Sequence, residues 1–227
     1  MELCLSLDLP SKEENLALVE KLKDFNIWIK VGLRSYIRDG REFLEAIKTI
    51  NPDFKIFLDL KLYDIPNTMA DAAESIAALP IDMFNVHASA GREAMKTVME
   101  RLGSGKRPLV LAVTALTSFD EAGFQAVYGA PIADKAGQFA QDAHACGLDG
   151  VVCSVHESLQ IKSLTDDEFI TLTPGIRPEG SSADDQKRVA TPSVARENKC
   201  DFIVVGRPIY KAEDPAKVTA EILNSVK

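Results

Sequence analysis

The chain has 227 residues, 46% of them apolar and 26% charged, and carries a formal net charge of −8. This composition supplies a full core and excludes extended disorder, and an acidic chain with no basic cluster does not suit nucleic acid or an anionic membrane surface. No stretch approaches the roughly 18 apolar residues of a membrane helix, and Glu2 stands where a signal peptide needs a basic flank. Cys4, Cys146, Cys153 and Cys200 form no C-x-x-C pair. The expectation is a cytoplasmic protein, soluble and with reduced thiols.

In chain order, strand-like apolar runs are LCLSLDL (Leu3–Leu9), IWIKVG (Ile27–Gly32), FKIFLDL (Phe54–Leu60), MFNVHA (Met83–Ala88), LVLAVTAL (Leu109–Leu116), GVVCSV (Gly150–Val155), FITLTPG (Phe169–Gly175) and FIVVGR (Phe202–Arg207). Most lack clean alternation, as strands packed on both faces do. Helix-length segments lie between them. Ser11-Lys12-Glu13-Glu14 reads as a capped helix start. The stretch SFDEAGFQAVYG reads as a mobile connection, followed by a helix ending at Gly147. Asp214-Pro215-Ala216 opens the last helix, with Asp as cap and Pro at the first helical position.

Eight strands alternating with helices predict a parallel sheet with right-handed crossovers. Eight such units close into a single-domain (β/α)8 TIM barrel over residues 1–227; an open doubly wound sheet is the other arrangement the alternation permits. In a barrel the site lies where the strands end. The runs here carry or end in Asp8, Lys30, Asp59 with Lys61 and Asp64, Asn85 with His87, Thr117-Ser118, Ser154 with His156, Thr173 to Arg177, and Gly206-Arg207.

The stretch FLDLKLYDIPNT (Phe57–Thr68) places three charges within six residues behind an apolar run. Asp59 and Lys61 are two apart, so on a strand they face the same side, and Lys30 on the adjacent strand faces the same space. Charges in a barrel mouth are costly unless paired. The pattern suits either a structural ion-pair network or a lysine poised as proton donor beside carboxylates that hold it charged. Gly206-Arg207 after the last strand reads as a phosphate site, with Gly admitting a close oxyanion and Arg supplying a fork of donors. The polar seventh loop, PGIRPEGSSADDQKR, carries Arg177 and Gln186 and reads as a lid over an anion. His87, His144 and His156 read as structural, without metal-ligand spacing. No G-x-S-x-G, P-loop or G-x-G-x-x-G follows the first strand, which argues against a serine hydrolase, a P-loop nucleotidase and a Rossmann dehydrogenase.

DLKLYDIPNT (Asp59–Thr68) resembles the signature of the bacterial orotidine 5'-phosphate decarboxylases. LDLP with Asp8, IKVG with Lys30, Leu116-Thr117-Ser118, TPGIRP with Arg177, DDQKR with Gln186 and VVGRPI with Gly206 and Arg207 match in order along the chain. The resemblance implies loss of carbon dioxide from orotidine 5'-phosphate to give uridine 5'-phosphate, the last step of de novo UMP synthesis, with no cofactor and no metal. It implies Lys61 as proton donor, Asp59 beside the departing carboxylate, and Lys30 and Asp64 completing an alternating chain of charge. Asp8 and Lys30 would meet the ribose, and Thr117 or Ser118 the pyrimidine. Arg177, Gln186, Gly206 and Arg207 would hold phosphate or shape its loop. It further implies a homodimer in which Asp64, Ile65 and Thr68 serve the neighbouring subunit. Leu62-Tyr63 departs from the Phe-His of many relatives, between the charged positions. Magnesium-using sugar-phosphate decarboxylases and aldolases share the barrel and D-x-K-x-x-D; the I-P-N-T continuation and DDQKR favour the first family.

Overall fold

The computed structural model describes residues 1–178 and 188–226. Eight parallel strands close into a barrel in sequence order, β1 pairing with both β2 and β8. They are β1 (Glu2–Leu7), β2 (Trp28–Gly32), β3 (Lys55–Leu62), β4 (Met83–His87), β5 (Leu109–Val113), β6 (Gly150–Val152), β7 (Ile170–Thr173) and β8 (Phe202–Val205). The outer ring holds α1 (Lys12–Lys21), α2 (Leu33–Ile50), α3 (Pro66–Ala77), α4 (Arg92–Leu102), α5 (Glu121–Tyr128), α6 (Ile132–Ala145), α7 (Val155–Leu164), α8 (Pro192–Glu197), α9 (Arg207–Tyr210) and α10 (Pro215–Ser225).

All eight apolar runs form strands, and the barrel, not the open sheet, is the arrangement adopted. The local signals act as their chemistry requires. Ser11 and Glu14 form a reciprocal capping box at α1, Pro66 occupies the first turn of α3, and Asp214 caps α10 through the Lys217 amide. One expectation fails. The stretch read as a mobile connection folds into α5, capped by Asp120 and ended by Gly129 in the left-handed region at φ 67°. Phe124 is fully buried and stacks on Tyr128 at 4.4 Å, so a local aromatic cluster overrides the turn-like composition.

Two apolar layers build the molecule. One lies between sheet and helices; the other fills the barrel, with Cys4, Trp28, Phe57, Met83, Leu111, Val113, Val152, Leu172, Phe202 and Val204. Trp28 meets Phe202 edge-on at 5.2 Å near the base. At Gly150 a Cβ would stand 2.2 Å from the Ile170 carbonyl oxygen, so only glycine lets β6 approach β7 there. Side chains repeat every two residues on a strand. Two steps beyond Cys4, Trp28, Phe57 and Met83, the same interior face therefore carries Ser6, Lys30, Asp59 and Asn85. The barrel changes from apolar floor to polar mouth within one layer.

Candidate active site

Asp59 is the centre of the mouth. It is 9% exposed and accepts from Lys30 Nζ at 3.1 Å, Lys61 Nζ at 2.6 Å and Asn85 Nδ2 at 2.8 Å. Burial alone would raise its pKa, but Lys30, then Lys61, and the bonds from Lys61 and Asn85 outweigh burial and hold the carboxyl far below the ordinary range. Burial likewise opposes the charge on Lys30, and Asp59 and Asp8 overcome it, leaving the ammonium above its usual value. The three side chains thus stand as cation, anion, cation in a site largely withdrawn from water.

Lys61 reaches this arrangement by a route that simple alternation does not describe. Its φ is 54°, in the left-handed region that a β-strand residue avoids, and the β3–β4 register slips between Leu58 and Leu62. The Lys61–Asp59 pair therefore forms at a bulge and not along an undisturbed strand.

A cavity of about 340 Å³ opens above this cluster. Its wall has three sectors. Ser6, Asp8, Lys30, Asp59 and Lys61 from β1 to β3 form a charged side, and Val113, Ala115, Leu116, Val152, Cys153 and Leu172 from β5 to β7 form a mainly apolar side. Arg177, Gly206 and Arg207, after β7 and β8, add two guanidinium groups. That shape admits a flat ring between apolar wall and charges, with an anion held at the cationic end. Gly206 is tight: a Cβ would stand 3.3 Å from Ser6 Cβ and 3.4 Å from the Tyr210 ring.

The stems of the seventh loop are fastened. The Arg177 amide donates to the Ala190 carbonyl at 2.9 Å, and the Ala190 amide to that of Gly175 at 3.2 Å. Arg188 pairs with the buried carboxylate of Glu157 and donates from Nη2 to the carbonyls of Ala115 and Leu116 at 3.2 and 3.3 Å. Burial raises the Glu157 pKa and Arg188 opposes that rise. Arg188 therefore ties the loop after β7 to the segment leading into Thr117 and Ser118.

Of the expected site residues, Asp8, Lys30, Asp59, Lys61, Thr117, Ser118, Arg177, Gly206 and Arg207 all line the one cavity. Asp64, Ile65 and Thr68 do not. They are exposed at the start of α3, where Asp64 Oδ1 accepts from the Ile65 amide at 2.7 Å. Gln186 lies outside the described residues. Sequence reasoning left out Asn85, Glu157 and Arg188 as site-supporting residues. Asn85 was visible as a polar residue inside the apolar run MFNVHA; the pairing of Glu157 with Arg188 joins positions 31 apart and left no local signal. His87 stacks edge-on with Tyr63 at 5.7 Å, and His144 bonds Asp166 at 2.8 Å, in keeping with structural roles. Among the described residues no group of three or more His, Cys, Asp or Glu side chains is placed to hold a metal ion, and no helix is long and apolar enough to cross a membrane.

The profile of the orotidine 5'-phosphate decarboxylase / HUMPS family matches residues 1–222. The chain is 65% identical over 227 residues to the orotidine 5'-phosphate decarboxylase of a Nitratiruptor species, covering all of both chains. It is 64% identical, again over the full length of both, to that of Sulfurimonas denitrificans. The crystal structure of orotidine 5'-phosphate decarboxylase from Lactobacillus acidophilus is similar throughout, with a TM-score of 0.86 at 32% identity, covering 100% of this chain and 99% of that one. With its barrel, its D-x-K-x-x-D signature and relatives matched from end to end, the chain belongs to the orotidine 5'-phosphate decarboxylase / HUMPS family.

Proposed function

We propose that this protein converts orotidine 5'-phosphate to uridine 5'-phosphate and carbon dioxide, without metal or cofactor, as the last step of de novo UMP synthesis. The observation that carries the reading is Asp59 held between Lys30 and Lys61, at 3.1 and 2.6 Å, below a cavity whose far side bears Arg177 and Arg207. In the reaction the bond from ring carbon to carboxylate breaks, and its electron pair stays on the ring carbon. The Lys61 ammonium stabilises that charge as it forms, donates its proton to the same carbon, and regains a proton from solvent. Asp59 lies beside the substrate carboxylate and disfavours it relative to neutral carbon dioxide, while keeping Lys61 aimed. Asp8 and Lys30 hold the ribose hydroxyls, and Thr117 or Ser118 meets the pyrimidine edge. Arg177, Gly206 and Arg207 hold the phosphate, with Gln186 from the seventh loop.

The working form is a homodimer, in which the partner subunit's Asp64 extends the charge chain and the partner subunit's Ile65 and Thr68 complete the wall. Exposure supports this. Leu33 (50%), Ile37 (78%), Tyr63 (63%) and Ile65 (67%) leave a large apolar area in water around the ends of β2 and β3. The compartment is the cytoplasm, where the four free thiols stay reduced.

One mixing assay tests the whole reading. Wild type should consume orotidine 5'-phosphate equally well in chelator and in magnesium. Lys61→Ala and Asp64→Asn proteins should each be nearly silent alone. Mixed and allowed to exchange subunits, they should regain activity, because one site of each mixed dimer carries an intact Lys61 and an intact partner Asp64. No turnover by folded wild type sinks the reaction and moves the chain to the magnesium-using sugar-phosphate branch; turnover of orotidine 5'-phosphate only with magnesium rejects the metal-free mechanism. A mixture as silent as its parts rejects the shared site.

A further inference from the structure

We infer that Asn85 is a positioning residue, which sets the geometry of Lys61 and Asp59 together by bonding the backbone of one and the carboxylate of the other. The inference rests on the reaction proposed above for its kinetic readout, and on geometry alone for its structural one.

The β3–β4 ladder has a defect at this point. Leu58 pairs with Phe84 and Leu62 with Val86. Three residues of β3 (Asp59, Leu60 and Lys61) therefore stand opposite a single residue of β4, which is Asn85. Such a bulge leaves backbone groups without their ladder partners, and buried amides need a replacement. Asn85 supplies it from its side chain. Its Oδ1 accepts from the Lys61 amide at 2.8 Å, and its Nδ2 donates to Asp59 Oδ1 at 2.8 Å. The same carboxylate oxygen accepts from Lys61 Nζ at 2.6 Å. A closed ring results: Lys61 backbone, Asn85 amide, Asp59 carboxylate, Lys61 ammonium.

The ring demands this residue type. One face must accept from an N–H, and the other must donate to a carboxylate. A flipped amide would set acceptor against acceptor and donor against donor. Asn85 is 1% exposed, so water does not readily replace either bond. Its place on β4, a regular strand paired with β5 through Leu111, makes it a fixed post against which the bulge is held. Lys61 with φ 54° has no such support from its own strand.

The test compares Asn85→Ala and Asn85→Asp with wild type. For Asn85→Ala, kcat should fall on the order of 100-fold, the scale of a misplacement of about 1 Å at reacting groups, while KM stays close to wild type because the phosphate contacts lie after β7 and β8. Asn85→Asp keeps the shape but sets a carboxylate against Asp59. Once protonated it donates as the amide does, so its activity relative to wild type should recover as pH falls. The charged groups facing it are Asp59 and Lys61 from β3, Lys30 from β2 through Asp59, and His87 on its own strand; β5 presents uncharged Leu111. In the parent the His87 pKa is lowered by burial and then by Lys61, so activity is read as a ratio to wild type.

Hydrogen exchange at the Lys61 amide, followed by NMR, needs no substrate and should accelerate in Asn85→Ala. Silent wild type would remove the reaction but leave this exchange arm to decide the tether. Wild-type kcat with unchanged Lys61 protection in Asn85→Ala overturns the inference. If that variant does not fold, an Asn85→Asp protein with no acid recovery overturns it instead.

Discussion

Lys61→Ala should lower kcat for orotidine 5'-phosphate by about 10⁵-fold while the protein stays folded. On the proposed mechanism two contributions would disappear together: proton donation, worth roughly 10² to 10⁴, and one fixed electrostatic donor at the developing charge, worth roughly 10² to 10³. The fold should survive because Asp59 keeps Lys30 at 3.1 Å and Asn85 at 2.8 Å. The Lys61 side chain is 31% exposed, so removing it should cost less than the roughly 3–5 kcal/mol of breaking a fully buried pair. Binding of uridine 5'-phosphate should change little, since the ribose and phosphate contacts proposed above involve other residues. Single-turnover kinetics beside a urea melt would check both parts. Appreciable turnover by Lys61→Ala would keep the family and reject the proton donor.

Arg207→Ala should cost about a thousandfold in kcat/KM, equivalent to roughly 4 kcal/mol of transition-state stabilisation. Arg207 opens α9 directly after β8, across the cavity from the charged side formed by β1 to β3. On the proposed mechanism it meets the phosphate, and the effect on rate would arise because phosphate binding energy organises the site around the remote ring carbon. The discriminating control is orotidine, which lacks the phosphate. Wild type and Arg207→Ala should process it at equally low rates. A large mutational loss that persists with orotidine would show that Arg207 supports the barrel mouth itself and not the phosphate.

The parts of the molecule that depend on local sequence were legible. Runs such as FKIFLDL and FIVVGR became strands because buried parallel strands need continuous apolar residues, and the barrel rule then gathered their terminal polar residues at one rim. Three kinds of feature escaped. The segment that became α5 carries Gly123 and Gly129, and its helix depends on Phe124 finding a buried partner. The bulge at Lys61 depends on the register between two strands, which the chain does not display in either alone. The contacts of Asn85 and Arg188 join residues 24 and 73 positions apart, and only the closed barrel brings them together. Asp64, Ile65 and Thr68 differ again: their motif was readable, and the structure places them exposed at the start of α3, outside the cavity.

The charge cluster around Asp59 stands ionised and in place before substrate arrives. The most direct measurement is the titration of the Asp59 carboxyl in the free protein, by carbon-13 NMR with Asp59→Asn for assignment. A depressed folded pKa contributes stability that is fully present above the unfolded value of about 3.9 and is lost progressively as pH falls from there through the folded value. Lys30, Lys61 and Asn85 place that folded value far below the ordinary range, against the opposing effect of burial. The expected result is no protonation of Asp59 down to the pH at which the protein unfolds. A carboxyl that takes up its proton at or above the ordinary value, with the barrel still folded, would contradict the preorganised charge cluster.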